Sequence, residues 1–377
     1  MTELISLVPM GGPLGLLLPA KLMNFGLAFL GIGGLIFLHE LGHFLVARWM
    51  GMPVETFSLG FGPRLVGFKW RETDVRLSAL PLGGYVKLEG FNPEEPGAED
   101  PHGFLQQPYW KRMLFYSGGI LANLAVALAL FTFVGVGQSR VTARTPKPSP
   151  LFLDKVMPGG AADKGGLKPA DEILQMGDLA FPPGTSEQAQ TYIRARGGQS
   201  VPLRVRREGR ELALAVTPVA QDGKVMIGIQ FIPTAFDEVR RPFQIGDLGV
   251  GLRYGVERMG ELSGLIFHFL KRLVTFKASS GEVGGPIAIT QQMSQAASQG
   301  LEAFLFFCAA ISIQLAVLNA LPIPMLDGGH MAVLSVERLR RRDFSLDFKE
   351  KLFTGGFLLL ASLMAIVIFL DVMKLRK

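Results

Sequence analysis

Four stretches of this chain are apolar over a length that matches a lipid bilayer, which takes about 20 residues to cross. They run roughly from Asn24 to Ala47, Met113 to Val136, Glu302 to Leu321 and Thr354 to Val372, and the third also carries Gln314 and Asn319. The composition agrees: only 19% of the residues are charged and the mean hydropathy is +0.32. The fold class expected is therefore a membrane protein, an α-helical bundle of four transmembrane helices. A net charge of +6 would suit a nucleic-acid partner, but the basic residues cluster at the ends of apolar stretches rather than along one stripe, so the expected partner is membrane lipid and no nucleic acid. With Cys308 as the only cysteine, the chain has no disulfide framework, and Cys308 reads as a small buried hydrophobe.

The loop after the first stretch holds Arg64, Lys69, Arg71, Arg76, Lys111 and Arg112; the loop after the third holds Arg338, Arg340, Arg341, Arg342, Lys349 and Lys351. The positive-inside rule places both on the cytoplasmic side. Both termini and the segment from about Gln138 to Gly300 then lie outside, although Lys374, Arg376 and Lys377 run against this at the C-terminus. Residues Met1 to Ala20 lack the pattern of a cleaved secretory signal and are expected to be retained.

Four regions follow: 1–137 with the first two spans, 141–231 as an inserted domain, 232–300 as an amphipathic membrane-surface segment, and 301–377 with the last two spans. In the inserted domain, Val201, Leu203, Val205 and Leu212, Leu214, Val216 alternate with polar residues, as half-buried strands do. The segment Val156 to Asp178 resembles the start of a PDZ domain, with Gly166-Leu167 and Gly177-Asp178 bracketing a strand and Ala170 where glycine is expected. Beyond it, Leu252, Val256, Met259, Leu262, Ile266, Phe269 and Leu273 form one helical stripe. That stripe suits a helix on the membrane surface, on the inserted domain or on the membrane bundle.

The chemistry concentrates in HELGH, His39 to His43, within the first apolar stretch. Residues at i and i+4 share a helix face, so both imidazoles can reach one metal ion, while Glu40 is offset to take a proton from water beside it. Ionisable groups inside a membrane helix cost about 2.5–3.5 kcal/mol each on insertion scales and need partners. A catalytic zinc site takes three protein ligands. The strongest third candidate lies in NALPIPMLDGGH, Asn319 to His330: Pro322 and Pro324 stop the helix, Gly328 and Gly329 are expected to turn the backbone, and Asp327 projects back into the bundle. His330 is the rival ligand.

HELGH in the first span, LDGG (Leu326 to Gly329) after the third, the inserted PDZ-like domain and four spans together resemble the site-2 proteases, within them the bacterial regulator-of-sigma-E type. The resemblance runs nearly end to end. It implies an intramembrane zinc metalloprotease with Zn2+ on His39, His43 and Asp327, Glu40 as general base, and transmembrane protein substrates such as anti-sigma factor-like proteins or signal-peptide remnants. It also implies a multi-pass protein of the bacterial plasma (inner) membrane, its PDZ-like domain extracytoplasmic and its active site toward the cytoplasm. FGP (Phe61 to Pro63) and LGGYV (Leu82 to Val86) resemble the family's membrane-associated β-loop, which makes Gly83, Gly84 and Tyr85 candidates for substrate binding. Asn123 and Asn319 match asparagines near the active site. In the second span Gly119 stands where the family has proline, and GGPI (Gly284 to Ile287) also fits. Two other classes compete: a membrane scaffold that has lost catalysis, for which Glu40 would serve no purpose, and a metal transporter, against which the small ligand set and the lack of an internal repeat argue.

Overall fold

The computed structural model describes residues 20–91, 98–146, 150–182, 184–221, 224–232, 236–275, 277 and 284–375. The N-terminal stretch expected to be retained lies outside these residues up to position 19, as do Arg376 and Lys377. The chain divides into two units, one formed by 1–139 with 244–377 and the other by 140–243.

In the first unit, α1 (Ala20–Trp49) leads into strands β1 (Val54–Trp70) and β2 (Thr73–Leu88), then α2 (Tyr109–Ser139). After the inserted unit come α5 (Gly246–Val274), α6 (Pro286–Gln299), α7 (Leu301–Ala320), α8 (Asp327–Arg340) and α9 (Leu346–Leu375). Among the described residues, α1, α2, α7 and α9 are long and apolar enough to cross a membrane, over Leu22–Trp49, Tyr109–Ser139, Leu301–Ala320 and Leu346–Met373. Their apolar surface has no aqueous face to oppose it, so packing depends on close backbone approach. The α1–α2 crossing shows this: a Cβ on Gly118 would lie 2.8 Å from the Gly42 carbonyl oxygen, and one on Gly42 would meet the Gly118 backbone and Ala122. Larger residues at this crossing would separate the two helices that carry HELGH and Asn123.

β1 and β2 are each paired along two lengths. Phe57 has both Val75 and Val86 as partners, and Leu59 both Leu77 and Gly84, while Trp70 to Arg64 pair with Thr73 to Ser78. The first half of β1 is therefore flanked by both halves of β2, which leaves Gly84 to Leu88 as an edge. Phe44, Met52, Phe57, Leu88, Phe104 and Phe115 form the core that fixes this sheet to α1 and α2.

α5 settles the three options for the amphipathic stripe: Met259, Leu262 and Ile266 pack with Ala127 and Phe131 of α2 and Ile313 of α7. The stripe is narrower than its periodicity predicts, because Leu252, Val256 and Leu273 are exposed while Tyr254 and Leu270 join the packed face.

The second unit holds β3 (Val141–Pro146), β4 (Leu151–Val156), α3 (Ala161–Lys164), β5 (Glu172–Met176), β6 (Leu179–Ala180), α4 (Ser186–Arg194), β7 (Val201–Arg207), β8 (Arg210–Val216), β9 (Val219–Gln221), β10 (Lys224–Met226), β11 (Ile229–Phe231) and β12 (Phe236–Arg240). Its main sheet runs β11-β4-β5-β7-β8, with β6 beside β5. Leu153, Leu167, Ile173, Met176, Ile193 and Val205 fill its core. Asp171, with no side-chain exposure, takes both ends of the Arg207 fork at 2.6 and 2.7 Å, and Ala170 adopts the left-handed φ of 68° otherwise given to glycine. The unit reaches beyond the expected boundary at 231, because β12 pairs with β3 and so returns the chain to where it entered.

GGPI acquires a local role. Pro286 opens α6, and the amides of Gly285 and Ala288 donate to Asp371 Oδ1 and Oδ2, each at 3.1 Å. A carboxylate buried in apolar α9 thus caps the N-terminus of α6, where amides lack helical partners. Asp371→Ala should cost about 1–2 kcal/mol, read as a lower unfolding midpoint of the detergent-solubilised protein; an unchanged midpoint would remove the cap from the stabilising contacts.

Candidate active site

Helix α1 places His39 and His43 one turn apart, and Asp327 meets them from the first position of α8. The three facing atoms form a nearly equilateral triangle: His39 Nε2 to His43 Nε2 is 3.3 Å, His39 Nε2 to Asp327 Oδ2 3.4 Å, and His43 Nε2 to Asp327 Oδ2 3.3 Å. Donors held about 2.0–2.1 Å from a tetrahedral ion are separated by about 3.3–3.4 Å, so the triangle has the edge length of a zinc site. Asp327 Oδ2 is buried and accepts no hydrogen bond.

The remaining ring nitrogens are engaged. His43 Nδ1 lies 2.8 Å from the Phe115 carbonyl oxygen, which only accepts, so Nδ1 carries the proton and Nε2 presents its lone pair to the triangle. Asn123, fully buried, has its amide nitrogen Nδ2 3.1 Å from His39 Nδ1, and among the described residues its Oδ1 has no hydrogen-bond partner. Exchanging the two ends of the amide, which only their hydrogen bonds distinguish, turns Oδ1 to a protonated His39 Nδ1, and His39 then presents Nε2 in the same way. Asn123, expected to bind substrate, therefore contacts a ligand histidine. Ser312 Oγ of α7 donates to the Asn123 backbone oxygen at 2.8 Å and secures that turn of α2.

Gly119 lies directly against the histidines. A Cβ there would fall 2.7 Å from His39 Nε2 and against His43 Nε2. The proline of the family pattern would put a Cβ into the same space and does not fit at this position, and α2 runs unbroken through Gly119. Gly328 and Gly329 also differ from expectation. They lie inside α8 rather than in a turn, and a Cβ on either would strike the backbone carbonyls of Ala320 and Leu321 or of Ile323. They allow α8 to fold tightly back on the end of α7, which delivers Asp327.

His330 is not in the triangle. It is stacked between Tyr116, at 4.7 Å between ring centroids, and Phe353, at 4.3 Å, and burial pushes its pKa down to about 4. It ties α8 to α2 and α9 as a neutral ring. Asn319 is half-buried next to the end of α7, and among the described residues no hydrogen bond joins it to the triangle. Gly84 brings the β2 edge onto the site: a Cβ on it would lie 2.7 Å from Glu40 Cγ. Gly83 and Tyr85 flank it, Tyr85 stacked on Phe61 and bonded through its hydroxyl to Arg76.

The match to known proteins covers the same architecture. The model of peptidase family M50 matches residues 27–363. The chain belongs to peptidase family M50. A relative from Nostoc sp. is 36% identical over 344 residues, spanning 87% of this chain and 90% of its own length. One from Clostridium perfringens is 33% identical, spanning 92% and 97%, and one from Agrobacterium fabrum is 30% identical, spanning 90% and 93%. All three are named as candidate zinc metalloproteases. A solved PDZ domain from Listeria monocytogenes covers 22% of this chain and 87% of its own, at 20% identity and a TM-score of 0.20.

Phe115 and Tyr116 escaped the sequence reading. The first acts through its backbone carbonyl, which no side-chain pattern reports, and the second through stacking on a residue more than 200 positions away. In this M50 peptidase, Asn123→Leu should weaken zinc binding about 10–100-fold, measured by chelator competition on the purified protein. Gly119→Ala should lower zinc occupancy further, because its Cβ displaces both imidazoles.

Proposed function

We propose that this chain is an intramembrane zinc metalloprotease that hydrolyses peptide bonds within or near transmembrane segments of other membrane proteins. One observation carries the reading: the His39, His43 and Asp327 triangle and Glu40 lie on and beside a helix apolar enough to span a bilayer, with the β2 edge at Glu40.

His39, His43 and Asp327 would hold the ion; Phe115 and Asn123 keep the two imidazoles in the tautomer that offers Nε2. When bound, zinc supplies Lewis acidity toward a carbonyl and toward water. Glu40 accepts the proton from the attacking water and returns it to the leaving amine. A helical substrate hides its peptide bonds in its own hydrogen bonds. Gly84 to Leu88 offers an unpaired strand edge that would take the unwound segment by strand addition and lay it across Glu40.

The substrates expected are anti-sigma factor-like proteins or signal-peptide remnants in the bacterial plasma membrane. The triangle would face the cytoplasmic side and the 140–243 unit, read as PDZ-like, the outside, where it excludes bulky outer domains or recruits trimmed chain ends.

Glu40→Gln should retain zinc yet lose cleavage of a model membrane substrate, and turnover at the parent rate would refute Glu40 as the base. Asp327→Ala should lose the metal by elemental analysis. Gly84→Val should retain zinc while cleavage falls at least tenfold, since the added carbons displace Glu40; equal cleavage would detach the β2 edge from the reaction.

A further inference from the structure

The last turn of α8 and the α8–α9 turn that follows carry Arg338, Arg340, Arg341 and Arg342, all exposed. It is a built turn. Glu337, 5% exposed, holds it from within: its Oε1 accepts from the Phe344 amide at 2.9 Å and from Lys349 Nζ at 2.6 Å. Arg341 ends α8 in the left-handed region at φ 54°, and the Arg342 amide donates to the Glu337 carbonyl at 3.3 Å. Phe344 stacks on Phe348 at 4.6 Å, with the Arg340 guanidinium 4.4 Å above its ring.

The charge is left over. Lys349 answers Glu337 and Lys351 answers Asp347, so Asp343 and Glu350 are the remaining acids of the turn. Among the described residues, none of the four arginines forms an ion pair. Between them stand exposed apolar side chains, Leu339 at 83%, Leu346 at 54%, Phe348 at 44% and Val336 at 41%. The chain then enters α9, whose apolar span begins at Leu346.

An acidic peptide or nucleic acid would be matched by the arginines but not by Leu339, Leu346 and Phe348. A lipid surface matches both, the apolar side chains at the acyl boundary and the guanidinium groups at the phosphates. We propose that the α8–α9 turn is a binding surface for anionic phospholipid headgroups. The inference rests on α9 crossing a membrane and not on the proteolytic activity.

The test uses the detergent-solubilised full chain titrated with dioleoyl phosphatidylglycerol or dioleoyl phosphatidylcholine, with bound lipid counted by native mass spectrometry. Phosphatidylglycerol should be retained about tenfold more strongly and lose that advantage in high salt. Replacing the four arginines together by glutamine should abolish the preference, whereas four lysines should keep most of it. Equal retention of the two lipids by the parent protein would overturn the proposal. So would an undiminished preference in a glutamine variant of parental zinc content, or displacement of the lipid by an equal concentration of inorganic phosphate.

Discussion

Two imidazoles and a glutamate on a helix apolar enough to cross lipid carry a solvation cost that apolar neighbours cannot offset. Everything around HELGH answers that cost. The glycine contact between α1 and α2 brings the Phe115 carbonyl to His43 and the Asn123 amide to His39. The break after α7 lets α8 fold back so that Asp327 reaches both Nε2 atoms. His330, wedged between Tyr116 and Phe353, ties α8 to α2 and α9. If any of these contacts were removed, a polar group would remain in a low-dielectric setting without its partner.

How much of this could be read from the sequence depended on the range of the signal. His39, Glu40 and His43 follow from helical periodicity within five residues, and the four helices apolar enough to span a membrane follow from length and apolarity, needing no tertiary information. Asp327 was legible because two prolines and two glycines mark a break after an apolar stretch, although the glycines serve close backbone contact rather than a turn. The contact of Asn123 with His39 was not legible. Which polar group a buried amide meets depends on the crossing of α1 and α2, fixed by backbone approach between residues 76 apart, Gly42 and Gly118. The end of the inserted unit was missed for the same reason, since β12 finds its partner in β3 across the whole unit.

α6 and α9 repeat the same constraint away from the site. An aspartate in an apolar helix is tolerated where backbone amides surround it, and the N-terminus of α6 supplies two of them to Asp371. The pairing satisfies both partners: the amides at a helix start lack acceptors, and the carboxylate lacks water. GGPI is then intelligible as the geometry that exposes those amides, with proline at a position that has no amide to lose.

A comparison of the buried carboxylates argues for the metal more strongly than the HELGH pattern alone. Asp171 is held by the Arg207 fork, Asp247 by the Gln244 amide and the Ser139 hydroxyl, Glu337 by Lys349 and the Phe344 amide, and Asp371 by two amides. In each case hydrogen atoms point at the oxygens. Asp327 Oδ2, like Asp74 Oδ1, accepts no hydrogen bond, but Asp74 faces the guanidinium groups of Arg64 and Arg76, whereas the near neighbours of Asp327 Oδ2 are the Nε2 atoms of two histidines. The Phe115 carbonyl obliges His43 to carry its proton on Nδ1, so in a neutral ring Nε2 is a lone pair aimed at a carboxylate oxygen 3.3 Å away. Two acceptors at that distance repel, and a cation between them is what reverses the sign. A proton would satisfy one pair of the triangle. A divalent ion would satisfy all three edges at once, and edges this nearly equal are what three donors at one radius from a single ion would require.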